Sequence, residues 1–320
     1  MANKIIVIVG QTSSGKTDLS VELAKKFNGE VISADSRQVY KGLDVGSGKV
    51  TKNEMKGIPH YLLDITSPNR AFSINQFKNK ADKAIKDILK RGKIPIIAGG
   101  TGFYIQAIVD NIVLPEVKPN LKLRKELEAL IPKKTKSQKI SVYKKNKEEA
   151  LKELVKRLRK LDPRRLEEID QKNPRRLIRA IEIATELGRV PKLESPAVGQ
   201  LGGYEFLQIG IEVDKGVLGE RIEKRFRKRV RTGIVAEAKR LHEKGMSWKR
   251  MNEIGLAHKY IAKYLKGEIS KENMIENSII EEKKYAKRQK TWFKRDKRIV
   301  WFKYEEQKGI EKEIRDFLST

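Results

Sequence analysis

The sequence predicts an α/β protein: a parallel β-sheet flanked by helices, carrying an all-helical insertion domain. Three observations lead there. Short apolar runs at Lys4–Val9, Glu30–Ala34 and Lys93–Ala98 each end in a polar or glycine-rich loop, and strand, loop and helix in repetition build a right-handed parallel sheet. Residues from about 115 to 199 are charged and helical in pattern, punctuated by Pro132, Pro163 and Pro174. Strand character then returns at Tyr204–Val213, so the helical block interrupts a core. The expected division is 1–114 and 200–320 for the core with its C-terminal helices, and 115–199 for the insertion.

The first strand runs into Gly10-Gln11-Thr12-Ser13-Ser14-Gly15-Lys16-Thr17, which fits GxxxxGK[ST] at every fixed position. A helical pattern follows to Phe27, with Asn28-Gly29 as its stop. Glycines let successive backbone N–H groups turn inward at a helix N-terminus and form an anion nest. Lys16 adds a point charge and the Thr17 hydroxyl can hold Mg²⁺. The core is therefore P-loop NTPase-like, and something phosphorylated binds it; the loop alone does not say what.

Further elements follow in order. Asp35 ends the second strand, where ligands of open parallel sheets sit; it can hold a metal, accept a proton, or cap the next turn. Gly42–Lys49 reads as a surface loop, and His60 as a base or, more ordinarily, a structural histidine beside a short strand. The helix from Phe72 to Arg91 contains Asn79-Lys80-Ala81-Asp82, which spells a guanine-reading motif but lies mid-helix and is a decoy. Gly99–Tyr104 brings backbone and the Thr101 hydroxyl to the same sheet edge. Thr135–Lys147 reads as an exposed basic loop. Asn173-Pro174 opens a helix in which Arg176 and Arg179 share a face. One long amphipathic helix is expected from Val217 to Lys244, with Arg221, Arg225 and Arg229 in a row that either clamps phosphates or pairs with nearby glutamates. In the last long helix, Ala286–Arg295 interleaves basic and aromatic residues, suited to RNA or equally to a core with a solvated face.

Composition narrows the class. The 320 residues are 38% hydrophobic and 35% charged, with no cysteine and three histidines, which excludes disulfides and argues against zinc. No apolar stretch approaches the roughly 20 residues of a membrane span, and no signal peptide opens the chain; a cytoplasmic, monomeric protein is the expectation. The net charge is +29, with 17 basic and 10 acidic residues in 1–110 against 54 and 32 in 111–320. Such a field draws polyanions, although a generally lysine-rich surface gives the same count.

Together these motifs resemble the tRNA dimethylallyltransferase (isopentenyltransferase) family over about residues 4–303, most weakly between 116 and 160. The phosphate loop, Ile32–Tyr40, Pro59–Asp64, Gly99–Tyr104, Arg175–Glu182 and Ala286–Phe293 occur in family order. The resemblance implies dimethylallyl diphosphate in the Gly10–Thr17 loop with Mg²⁺ at Thr17, and the tRNA anticodon stem-loop as acceptor. Asp35 would be the base on the adenine amine 3′ to the anticodon, with Thr101 and Lys16 beside the reacting groups. Arg221 and Arg225 would assist the diphosphate. The adenine would enter a channel through the core, touched by Ser36, Arg37 and Gln38, while Arg124, Arg175, Arg176, Arg179 and Arg288 hold tRNA and the insertion swings onto the loop.

Two departures stand out. Gln11 occupies a position usually proline, which predicts a slightly less rigid loop. Around Glu253–Lys259 the family's Gly-Tyr is replaced by Gly255-Leu256. The absence of a Cys/His zinc finger after Phe302 fits a bacterial-type enzyme. The rivals are a small-molecule or nucleotide kinase, a prenyltransferase for free adenosine phosphates, and a non-catalytic RNA-binding protein; the distal charge argues against the first two and intact Lys16, Thr17, Asp35 and Thr101 against the third.

Overall fold

The computed structural model describes residues 3–112, 115–132, 138–192 and 203–320. The chain divides into two compact units, Met1–Ile112 with Ser195–Thr320, and Val113–Glu194.

In the first unit, β1 (Asn3–Gly10), β2 (Gly29–Ser33), β3 (His60–Tyr61), β4 (Ile94–Gly99), β5 (Tyr204–Glu212) and β6 (Ile299–Lys303) form one sheet in the order β3-β2-β4-β1-β5-β6. Every pairing is parallel. The strand β1 is central and Ile5–Val9 are fully buried, as an unbroken apolar run requires when both sheet faces are covered. One face packs Ile5, Val7 and Val9 under α3 (Ile74–Lys90), α4 (Gly102–Val109) and Phe293 of α13 (Lys271–Phe293). The other packs Ile6, Ile8, Ile209 and Ile211 under α1 (Lys16–Lys26) and α14 (Gln307–Ser319). The short α2 (Lys52–Met55) and α3 both begin with capping boxes, from Thr51 and Ser73. A separate cluster joins Val39, Tyr40 and Leu43 to α9 (Lys215–Arg231), α10 (Ile234–Glu243), α11 (Trp248–Ile254), α12 (Ala257–Leu265) and the start of α13.

The second unit holds α5 (Leu121–Ala129), α6 (Ile140–Leu161), α7 (Arg165–Glu168) and α8 (Pro174–Leu187) around Leu127, Leu154, Leu158, Leu177 and Ile181. Asn173 caps α8 through the Arg176 amide.

Several expectations change. The helix expected over 217–244 is two helices, α9 and α10, because Gly233 takes φ 102°, a conformation that ends one helix and starts the next at no steric cost to glycine. Of the expected basic loop at 135–147, residues from Ile140 onward are the first turns of α6, and 133–137 lie outside the described residues. At the end of α1 it is Asn28 that turns, with φ 50°, while Gly29 already opens β2. The Asn79–Asp82 decoy lies inside α3. His60 stands on edge strand β3 with Nδ1 2.8 Å from the Ile58 carbonyl, a structural role.

Candidate active site

Three loops meet at the C-terminal ends of adjacent strands β2, β4 and β1: the phosphate loop after β1, the Asp35–Gln38 turn after β2, and Gly100-Thr101 after β4. Parallel strands all deliver their following loops to one edge, so residues far apart in sequence converge there.

Asp35 is half-buried and its Oδ1 accepts hydrogen bonds from the amides of Arg37 (2.7 Å) and Gln38 (3.3 Å). The turn-capping role is thus real, and it orients the carboxylate. Thr101 bridges to the same turn: its Oγ1 accepts from the Ser36 amide at 3.0 Å, and its own amide donates to Ala34 at 3.2 Å. Gln38 accepts from Ser33 and donates to the Gly48 carbonyl. From α9, Arg225 donates to Thr12 Oγ1 (3.3 Å) and to the Gly48 carbonyl (3.1 Å), tying the phosphate loop to the Gly42–Gly48 loop. That loop is anchored again by Glu237, whose buried carboxylate accepts from the amides of Asp44, Val45 and Gly46 at 2.8–2.9 Å.

Lys16 lies against the Gln11 carbonyl and Ser14 Oγ. Desolvation lowers its pKa to about 7, the Arg225 charge adds to the fall, and the Asp35 charge opposes it. Thr17 is exposed in the first turn of α1. Its hydroxyl makes no hydrogen bond among the described residues, so it is open to a metal held mainly by phosphate oxygens. Among the described residues no cluster of three or more His, Cys, Asp or Glu could hold a metal by itself. Arg221 brings its charge beside Tyr304, whose ring lies against Gly15. The third arginine of the α9 row, Arg229, is engaged by Glu282 and the Gly46 carbonyl.

The loosening expected from Gln11 is reversed. Its side chain is buried and donates to the Ala286 carbonyl of α13 at 3.0 Å, an anchor proline lacks. The glycines at the end of β4 and the start of α4 accommodate protein: an added Cβ would lie 2.3 Å from the Ala34 carbonyl oxygen at Gly99 and 2.1 Å from the Trp292 ring at Gly102. At the end of α13, Phe293 is core, and Lys290 and the following Lys294 pair with Glu212, so much of that run is a solvated helix over a core. Arg288 is exposed, paired with Glu281 at 3.2 Å.

Sequence reasoning missed Tyr285 and Gln289. Tyr285 stands beside Thr101, its pKa pushed up to about 12, mainly by burial and next by the Asp35 charge. Gln289 is buried between two site loops. Both fall on the stripe 282, 285, 286, 289, 293 that faces the core, and a glutamine there, spaced with Ala286 and Phe293, was the available signal.

In the helical unit, Arg175 and Arg176 are exposed, with Asp170 3.9 Å from Arg176. Arg124 and Arg179 instead converge on Glu182, which is 2% exposed, and Arg179 also donates to the Val117 carbonyl at 2.8 Å. At the altered Gly255-Leu256 segment, Leu256 takes φ 48°, strained for a branched residue. Buried His258 next to it is lowered to about 3 by desolvation, with the Arg37 and Arg229 charges adding, and is neutral.

Comparison with known proteins agrees with this architecture. A family model described as IPP transferase matches residues 38–296. A tRNA dimethylallyltransferase of Oceanobacillus iheyensis is 39% identical over 313 residues, 95% of this chain and 92% of that protein; one from Acetivibrio thermocellus is 36% identical over 315 residues, 98% and 96% of the two chains. Among solved structures, the full-length tRNA isopentenylpyrophosphate transferase of Bacillus halodurans superposes with a TM-score of 0.68 at 34% identity, covering 99% of this chain and 96% of that one. A eukaryotic dimethylallyltransferase acting on tRNA gives 0.70 at 28% identity, covering 94% and 74%. With the phosphate loop, the Asp35 turn and Thr101 gathered at one sheet edge, and with full-length similarity of this depth, the chain belongs to the IPP transferase family.

Proposed function

We propose that the protein transfers the dimethylallyl group of dimethylallyl diphosphate to the exocyclic amine of the adenine 3′ to the anticodon of tRNA, releasing diphosphate. The observation that carries this reading is the meeting of an anion-binding loop with a carboxylate and a hydroxyl at one sheet edge, in a chain whose relatives are named for that reaction.

The Gly10–Thr17 loop binds the diphosphate through amides other than that of Thr12, which Gln289 holds, together with Lys16 and Arg225, and Arg221 adds charge. These groups stabilise the leaving group as the allylic C–O bond breaks and its electron pair passes to the diphosphate. The adenine nitrogen forms the new N–C bond to the same carbon, and its proton moves to Asp35. Two amides on Oδ1 fix the carboxylate's orientation, which leaves Oδ2 for that proton. Thr101 lies between the two halves of the reaction. Mg²⁺, held by Thr17 and the substrate, would spread the leaving group's charge. Ser36, Arg37 and Gln38 contact the target nucleotide. Arg175 and Arg176 bind tRNA phosphates, as does Arg288; Arg124 and Arg179 reach RNA only by exchanging their hold on Glu182. The core and insertion divide at about 114 and 200, and the insertion is the tRNA-gripping domain.

The test is incubation with Mg²⁺, radiolabelled dimethylallyl diphosphate and unmodified tRNA carrying adenine after the anticodon, with AMP in a parallel reaction. Label in tRNA alone is expected. Label in AMP moves the protein to free-nucleotide prenylation, and ATP consumption with no label in either returns it to the kinases.

A further inference from the structure

Gln289 is 5% exposed and spans two loops of the site. The Thr12 amide donates to its Oε1 at 2.8 Å, and its Nε2 donates to the Gly100 carbonyl at 2.8 Å. One partner is a pure donor and the other a pure acceptor, so the carboxamide orientation follows from the partners themselves. Glutamate could only accept and lysine only donate; a primary amide of this reach does both. Gly100 is shaped by the same contact, since a Cβ there would lie 2.1 Å from Gln289 Nε2 and 3.6 Å from the Gly10 carbonyl oxygen. One turn earlier, the Ala286 carbonyl accepts from Gln11. The helix α13 therefore grips the phosphate loop at two consecutive residues and the β4 loop at one, immediately before Thr101.

We propose that Gln289 is a positioning residue for the transfer: it latches the diphosphate loop to the Thr101 loop and so sets the separation of leaving group and acceptor. This rests on the prenyl-transfer reading above. Because its Oε1 holds the Thr12 amide, that amide is withheld from the diphosphate; Gln289 acts on loop geometry and touches no reacting atom. Displacement of reacting groups by about 1 Å can cost about 10²-fold in rate.

The test is Gln289→Met, which keeps length and apolar volume but removes both bonds. The expected result is a single-turnover transfer rate about 10²-fold lower at saturating substrates, with tRNA affinity unchanged and faster hydrogen exchange at the Thr12 amide. A merely structural residue would lower the melting temperature without that split between rate and binding. A folded Gln289→Met with wild-type rate and wild-type Thr12 exchange overturns the proposal. Should that variant fail to fold, Gly100→Ala displaces the carboxamide from the other side with Gln289 in place; the same losses are expected, and their absence overturns the proposal equally. Wild-type protein that labels no tRNA would refute the prenyl-transfer reading instead, while Thr12 exchange in the variants still reports whether the latch exists.

Discussion

Lys16 makes a quantitative prediction about proton uptake. Burial strips it of water and the Arg225 charge adds to the fall, together outweighing the opposing Asp35 charge, so its pKa drops from 10.5 to about 7. At pH 7 about half of the molecules carry the ammonium, and one unit higher about one in ten do. A bound diphosphate restores the charge. Binding should therefore take up about half a proton at pH 7 and nearly a whole one above about pH 8, and affinity should weaken up to about tenfold per pH unit above 7. Calorimetry of dimethylallyl diphosphate binding in two buffers of different ionisation enthalpy measures the protons. Lys16→Met cancels the ligand's own titration, so the difference between wild type and variant isolates this residue. Equal proton uptake in the two proteins, with parallel affinity curves, would refute the assignment. The sign for stability is opposite: the unfolded chain keeps this proton to about pH 10.5, so Lys16 adds stability to the unliganded fold as pH rises from about 7.

Four further outcomes are expected. Asp35→Asn keeps an oxygen to accept the Arg37 and Gln38 amides but cannot take the proton, so transfer should fall about 10²- to 10⁴-fold with tRNA affinity within a few-fold; full activity in single-turnover assays would remove Asp35 from the mechanism. Glu30 is fully buried, hydrogen-bonded by Arg91 (2.6 Å), Tyr61 (2.7 Å) and Lys93 (2.8 Å), and held down to about 2, chiefly by Arg91 against the opposing desolvation. Its stabilisation is full above about pH 4.5 and is lost as pH falls through about 2, so Glu30→Gln should cost about 3 kcal/mol near neutrality and flatten the acid limb of the melting curve. Arg175→Ala and Arg176→Ala should each reduce the salt slope of tRNA binding by about 1, measured by filter binding across a salt series. Arg124→Ala, by stripping Glu182 of a partner, should instead destabilise the helical unit by about 2 kcal/mol, read by thermal denaturation.

Much of the core was legible because its signals are local. An apolar run such as Ile5–Val9 buries on both faces whatever its neighbours, and the loop from Gly10 to Thr17 is a single covalent stretch whose spacing is its own geometry. Boundaries were less legible: the break at Gly233 depends on one backbone conformation, and the charged turns of α6 before Ala150 resemble a loop because little of their surface is buried.

What the sequence by itself determined is the sheet, the GxxxxGK[ST] loop between β1 and α1, the carboxylate and hydroxyl at the strand ends, and the uneven positive charge. Only tertiary structure decided which polar residues serve the site and which serve the fold. Gln11 reads as a lost proline until α13 supplies the Ala286 carbonyl. Gln289 reads as one more polar residue in a basic run until the chain brings Thr12 and Gly100 to either side of it, 277 and 189 residues away. Arg124 and Arg179 read as unpartnered arginines until Glu182 is buried between them. The physical reason is common to all: a hydrogen-bonding side chain is defined by its partner, and in these cases the partner is set by packing across the chain and by no spacing along it.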